Sequence, residues 1–439
     1  MRQLNSLLLS LTVAMCFTFN MAFADDAGTP RIISIGLDET ISRALDTSEE
    51  LKIKHSQIKK AEGAYREARA NMLPHINAES SWYFNVDTPD LGLVKIPDYV
   101  NVSGVTASQV IWSFGKVMYA VNAAKRMVDA SNFDEKSGRQ DVIYGAKLSY
   151  YSNLLARDAL SITEKSYANT LENEKLLKQR SYGGRSSKYE IIRMKAEVAS
   201  RIPTVNEART QFDAATETLK KIIGIDPNLM VEITGDFQEK YDDYDRDTLI
   251  RIMYEREPSL KSIGKTIEAA DANVKSKYAS FLPTVAGFAS WDYIGGKDNS
   301  SLFDDASGNY TFAGVKISVP IWEGGKTEAQ LSQSKADKEI AVLRNSQVSK
   351  ELLLQLKKAF LEYEQHKNNL KANIEAVNLA EEAFKQTQEM FSSGQVTLTD
   401  LNDAELLLTN QKLNKEMTLF NINITLARIE RLIAGQYDE

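Results

Sequence analysis

Two carboxylates carry the sharpest chemical signal in this chain. Asp400 and Asp403 lie three residues apart in a segment, 397–433, whose spacing predicts a helix, so both side chains share one helix face. Acids placed this way attract cations and repel anions, and like charges so close favour a raised pKa for some of them. A plainer reading stands beside it: Asp near a helix N-terminus is favoured by the dipole in any protein. The remaining reactive inventory is thin. His55, His75 and His366 are scattered with no i,i+4 pairing and no nearby Cys, so no metal site is expected. Gly183-Gly184 and Gly295-Gly296 do not follow the strand–glycine–helix layout of a phosphate loop. No Gly-x-Ser-x-Gly nucleophile motif occurs, and neither a catalytic constellation nor a cofactor is expected.

The elements that position these acids have to be found in 439 residues, 43% hydrophobic and 26% charged, a balance that fits neither a disordered chain nor a bundle of apolar membrane helices. The length alone suggests two to four globular domains. With 53 Lys and Arg against 60 Asp and Glu, the net charge of −7 argues against nucleic acid as a partner. Residues 1–24 read as a secretory signal peptide: Arg2, an apolar run from Leu7 to Phe19, then Ala22-Phe23-Ala24. The single cysteine, Cys16, falls inside it. Val13-Ala14-Met15 ahead of Cys16 lacks the small neighbour a lipid-anchor signal needs, so lipidation is not expected. Beyond it no apolar run of about 18 residues remains that could form a spanning helix.

The chain is written twice. Leu73-Pro74 recurs as Leu282-Pro283, 209 positions on, with Trp82 and Trp291 each eight residues past the proline. Ile111-Trp112-Ser113-Phe114-Gly115-Lys116 recurs, offset by 210, as Ile321-Trp322-Glu323-Gly324-Gly325-Lys326. Gly184 with Glu190 matches Gly394 with Asp400. Two structural repeats, 25–225 and 226–439, are therefore expected. Each reads helix, strand, loop, strand, very long helix, turn, helix. The first helix of each, about 38–72 and 247–281, stops at a Leu-Pro because proline disfavours helical geometry in the residue before it. Period-two alternation then predicts strands over about 75–86, 99–112, 284–295 and 309–322, close to the ~9–11 residues a tilted strand needs to cross a bilayer.

From Gly115 to Arg180, and again from Lys326 to Phe391, there is no proline. At 1.5 Å per residue each stretch would extend ~100 Å as a helix. In the second, Leu353, Leu356, Phe360, Tyr363, Leu370, Ile374, Val377 and Phe384 mark a heptad seam, with Lys367 and Glu381 in its gaps. A seven-residue period implies left-handed supercoiling against a partner helix. That partner is expected to be the return helix, 397–433; in the first repeat it is 188–223, which Pro203 should kink. The expected fold is mainly α with a small β part: a long antiparallel coiled coil plus four transmembrane strands per chain. Strands in lipid have to close, four are half the smallest barrel, and an eight-stranded barrel is filled by its own side chains. A passable lumen therefore calls for at least three chains and twelve strands. Trp82, Trp112, Trp291 and Trp322 would suit the interfacial aromatic belt. The competing possibility is a periplasmic coiled-coil scaffold or adaptor without a pore, its hairpin soluble and its Trp ordinary core.

The two-fold repeat, the Leu-Pro ending of the first helix, the paired strands, Trp-x-x-Gly-Lys opening the long helix, and the glycine turn between helices together resemble the outer membrane efflux protein (TolC) family, over about Ile33 to Gly435. The resemblance implies a homotrimer in the outer membrane whose twelve helices form a tapering periplasmic tunnel. It implies an exit duct for small-molecule efflux or type I secretion, working with a periplasmic adaptor and an inner-membrane transporter. It further implies that the acids at Asp400 and Asp403 ring the periplasmic entrance as a selectivity gate. Adaptor hairpins would dock at the tips: Gly184 with Arg185-Ser186-Ser187, and Gly394 with Gln395-Val396-Thr397. Some members lock the gate with a Tyr, an Arg and an Asp. Phe391, Val396 and Glu190 stand at the matching positions, so that network is not reproduced; Arg185 is offered as a substitute cation.

Overall fold

The computed structural model describes residues 32–86, 99–182, 186–238, 241–297 and 307–435. The predicted signal peptide, Gly184 and Arg185 lie outside them. Each repeat opens on two helices: α1 (Leu37–Thr47) and α2 (Glu49–Ala70) in the first, and α5 (Arg246–Arg256) and α6 (Pro258–Ala279) in the second. The single opening helix expected in each repeat is thus corrected to a pair. Ser48 breaks the first with a non-helical backbone (φ −53°, ψ 116°), and its hydroxyl caps α2 by accepting from the Leu51 amide. Pro258 breaks the second by opening α6 at its first position, which forces Glu257 out of helical geometry.

After the helix pair comes a hairpin, β2 (His75–Phe84) with β3 (Tyr99–Trp112), then α3 (Lys116–Tyr182) and α4 (Lys188–Ile222). The second repeat continues with β5 (Thr284–Lys297), β6 (Gly308–Ser318), α7 (Lys326–Ser393) and α8 (Leu398–Leu432). Matched elements are nearly equal in length: 67 and 68 residues for α3 and α7, 35 each for α4 and α8. The strands form one antiparallel sheet in the order β2-β3-β5-β6. β6 ends at Ser318, four residues short of expectation: Pro320 can donate no ladder bond, and Val319 to Trp322 have no strand partner among the described residues. α4 runs unbroken through Pro203, so no interruption occurs there.

The heptad seam of α7 is packed as its spacing requires. Leu356, Tyr363 and Leu370 are buried, and Leu353, Phe360 and Ile374 pack against the same core. The two gaps in the seam are closed by ion pairs: Lys367 reaches Asp243 and Glu364, and Glu381 pairs with Lys412 of α8. The main core lies mid-length, where Tyr150 and Leu154 of α3, Leu219 of α4 and Ile422 and Ile429 of α8 meet α5. A short parallel pair, β1 (Ile32–Ile35) with β4 (Met230–Ile233), completes that core and ties the start of the first repeat to the start of the second. Tyr150 donates to the Thr234 carbonyl at 2.6 Å and Tyr363 to the Asp242 carbonyl at 2.8 Å, fastening the connecting segments to the long helices.

Candidate functional site

The ends of the two long hairpins are built alike. At the start of α4 the Ser187 hydroxyl accepts from the Glu190 amide at 3.2 Å, while the Ser187 amide donates to the Glu190 carboxylate at 2.7 Å. At the start of α8 the Thr397 hydroxyl accepts from the Asp400 amide at 3.2 Å, and the Thr397 amide donates to the Asp400 carboxylate at 2.8 Å. Each is a capping box, satisfying two orphan amides reciprocally. The Thr397 hydroxyl also donates to Asp400 at 2.6 Å. Hydrogen bonds from the Thr397 side chain, then its backbone, hold the Asp400 carboxyl below its ordinary pKa. That direction is opposite to the raised value expected from Asp403: within one protomer the cap, and not the like charge, sets it. Both acids are exposed.

Beneath the caps, Leu177 of α3, Met194 of α4, Phe391 of α7 and Leu398 and Leu401 of α8 form a buried apolar cluster, with Val396 packed on its edge. All four helices contribute. Phe391 is 1% exposed, and the guanidinium of Arg180 lies 4.5 Å from its ring centroid while donating to its carbonyl at 2.7 Å. Arg180 therefore holds the end of α3 to the end of α7 from the position next to the turn. Gly394 has φ +86°, the left-handed geometry that ends α7. Its amide donates to the Phe391 carbonyl and that of Gln395 to the Met390 carbonyl at 2.9 Å. Ser186 lies just ahead of the Ser187 cap and is half-buried.

A second tie went unread in the sequence. Glu405 of α8, 2% exposed, accepts from Arg201 of α4 at 3.0 Å, from Thr409 at 3.1 Å and from Ser166 of α3. Arg193 of α4 donates to Thr399 at 3.1 Å. Glu405 stands in an apolar run, and its cationic partner is 204 residues away, so local spacing holds no trace of the pair. Arg180 is equally silent, being one basic residue among several at the end of α3.

At the other end of the molecule all four Trp side chains are largely exposed: Trp82, Trp112, Trp291 and Trp322. Trp82 stacks on Tyr99 at 6.0 Å and Trp112 meets Phe114 edge-on at 5.9 Å. Trp291 sits within β5, opposite Val105 and Thr311, and Trp322 falls beyond the end of β6. Among the described residues, β2 and β6 are unpaired on their outer edges. An antiparallel sheet of membrane-spanning strand length is thus carried on helices too long for a globular core.

Comparison with known proteins agrees. A model of the outer membrane efflux protein family matches residues 40–225 and again 249–435. The chain belongs to that family, whose members are outer-membrane exit channels reaching into the periplasm. Outer membrane efflux protein BepC of Brucella suis is 23% identical over 302 residues, 69% of this chain. That match spans 65% of BepC, just under two thirds of its length. Among solved structures the outer-membrane channel OprN superposes with a TM-score of 0.79 at 17% identity, covering 92% of this chain and 91% of its own. CusC superposes at 0.80 and 18% identity, covering 95% and 97%. At these identities the likeness to the solved structures is one of fold.

Proposed function

We propose that three copies of this chain close a twelve-stranded barrel in the outer membrane and continue as one periplasmic helical duct. The duct is passive: cargo is driven by an inner-membrane transporter and handed over through a periplasmic adaptor that docks at the hairpin tips. The single observation that carries this reading is the sheet. Its strands are long enough to span a bilayer, both its edges are open, and apolar side chains such as Ile76, Phe84, Val315 and Ile317 are left bare on it. A bare apolar edge is costly in water and untenable in lipid unless it pairs. Three sets of four strands give the smallest such assembly with a lumen.

In the assembled duct Asp400 and Asp403 are read as rings of acids at the periplasmic mouth, favouring cations. The tip turns, Ser186-Ser187 and Gly394 to Thr397, with Gly184 and Arg185 beside the first in the sequence motif, are read as the adaptor-facing surface. The locking role assigned to the Tyr–Arg–Asp set elsewhere falls here to Arg180 on Phe391, with Glu190 serving as a cap. Small-molecule efflux is the cargo class we favour, since relatives carry names such as solvent efflux pump outer membrane protein SrpC and cation efflux system protein CusC. The reading requires no catalysis by this chain. Native mass spectrometry of the detergent-solubilised protein tests it: a mass of three chains is expected, and a single-chain mass under conditions that preserve the fold would favour the non-pore scaffold instead.

A further inference from the structure

Strand register sorts the side chains of the sheet onto two faces. One face carries Ile76, Trp82, Val105, Trp291, Val315 and Ile317. The other carries His75, Asn77, Glu79, Ser290, Asp292 and Lys316. In a closed membrane barrel the apolar face meets lipid and the polar face lines the lumen. Three rings nevertheless interrupt the polar face, Phe288 of β5 with Tyr310 and Phe312 of β6. Tyr310 stacks on Phe312 with centroids 5.9 Å apart and planes at 12°, and Phe288 meets Phe312 edge-on at 5.8 Å. Phe288 also lies against Gly314, where a Cβ would come within 3.0 Å of its ring. The three form one continuous aromatic shelf. It is not covered: Tyr310 is 47% and Phe312 46% exposed.

Two carboxylates stand beside this shelf. Glu79, Gly104, Asp292 and Tyr310 occupy one row across the four strands. A Cβ at Gly104 would collide with the Asp292 carboxylate, so that acid lies over the glycine, on the side of Glu79. The Ser290 hydroxyl, 5% exposed, donates to Asp292 at 2.7 Å and fixes it there. Lys316 is three rows along the strands, about 20 Å at the rise of an extended chain, too far to neutralise either acid. Bare rings facing a water-filled lumen lose hydration free energy without return. Aromatic faces with carboxylates at their edge attract organic cations through ring quadrupole and charge together, and small hydrated ions far less. We propose that the shelf of Tyr310, Phe312 and Phe288, with Asp292 and Glu79, is a binding site for organic cations in the barrel lumen, one per copy. This rests on the duct reading above and names a cargo class for it, amphiphilic cations with an aromatic or alkylated ammonium head. The site lies within the membrane barrel, at the opposite end of the duct from Asp400 and Asp403.

Block of single channels in planar bilayers tests it. Benzyltriethylammonium added on the outer side of a channel carrying potassium current should interrupt that current, whereas benzenesulfonate, a ring of opposite charge, should not. Phe312→Leu and Asp292→Asn should each weaken the block by about two- to five-fold, and Phe312→Leu with Phe288→Leu by about ten-fold. Val315→Ala, on the opposite face of the sheet, should leave it unchanged. Native mass of the variants establishes that they remain assembled. No block of a conducting wild type, equal block in wild type, Phe312→Leu and Asp292→Asn, or equal block by benzenesulfonate would overturn the site and leave the duct intact. A folded protein that gives no conductance steps would overturn the duct reading and the site with it.

Discussion

Asp400 is two things at once, an exposed acid that we propose rings the mouth of the duct, and the third residue of a capping box. The pattern for the second role, Ser187-x-x-Glu190 and Thr397-x-x-Asp400, is present in the sequence at equivalent places in both repeats; charge drew attention to Asp400 while its neighbour Thr397 explains its geometry. Replacing Thr397 by Ala should cost about 1 kcal/mol of stability, measured by thermal or denaturant unfolding. Because the folded Asp400 pKa is depressed, its contribution is complete above the unfolded value, near 3.8, and is lost as pH falls through the folded value. Unfolding of the wild type should therefore steepen below about pH 4, and Asp400→Asn should flatten part of that dependence. Asp403→Asn should reduce cation preference in bilayer recordings without touching the cap. The Arg201–Glu405 pair was invisible because its members come from different repeats. Removing one partner, as in Arg201→Met, should cost about 3–5 kcal/mol by stranding a buried carboxylate, whereas Arg201→Met with Glu405→Leu should recover much of the loss.

The long helices were the most legible elements, since absence of proline over some 65 residues and a seven-residue period leave little else to form. Leu356→Ala, at a buried seam position, should cost about 2–5 kcal/mol, while Leu354→Ala on the exposed face should change stability by less than about 0.5 kcal/mol. Chemical denaturation of the two variants side by side checks the seam. The breaks in the opening helices were less legible. Pro258 announces one, but Ser48 breaks its helix by backbone geometry that no strong signal marks. The β1–β4 pair could not be read at all, being two short strands joined from the start of the first repeat and the start of the second. At the α7 end, Gly394→Val should be destabilising by at least about 1–2 kcal/mol, the steric cost of a left-handed backbone for a residue with a Cβ.

At the scale of the molecule, composition misleads and patterning corrects it. A length suited to several globular domains folds here as two copies of one extended unit, with its main core confined to the zone where β1, β4 and α5 cross the helices. The sheet edges and the exposed Trp322 make little sense in one chain and gain a purpose in three. Strand ends show the limit of reading sequence alone: β6 stops at Ser318, where its partner β5 begins at Thr284, although the alternating pattern runs on to Trp322. The central claim is that these edges close on one another to form a conducting barrel, and single-channel recording of the purified protein in planar bilayers tests it most directly. Discrete conductance steps, with cation preference that falls in Asp400→Asn and Asp403→Asn, are predicted. A trimeric, folded protein that inserts and yet gives no steps at any voltage, in the presence or absence of its adaptor, would contradict the account.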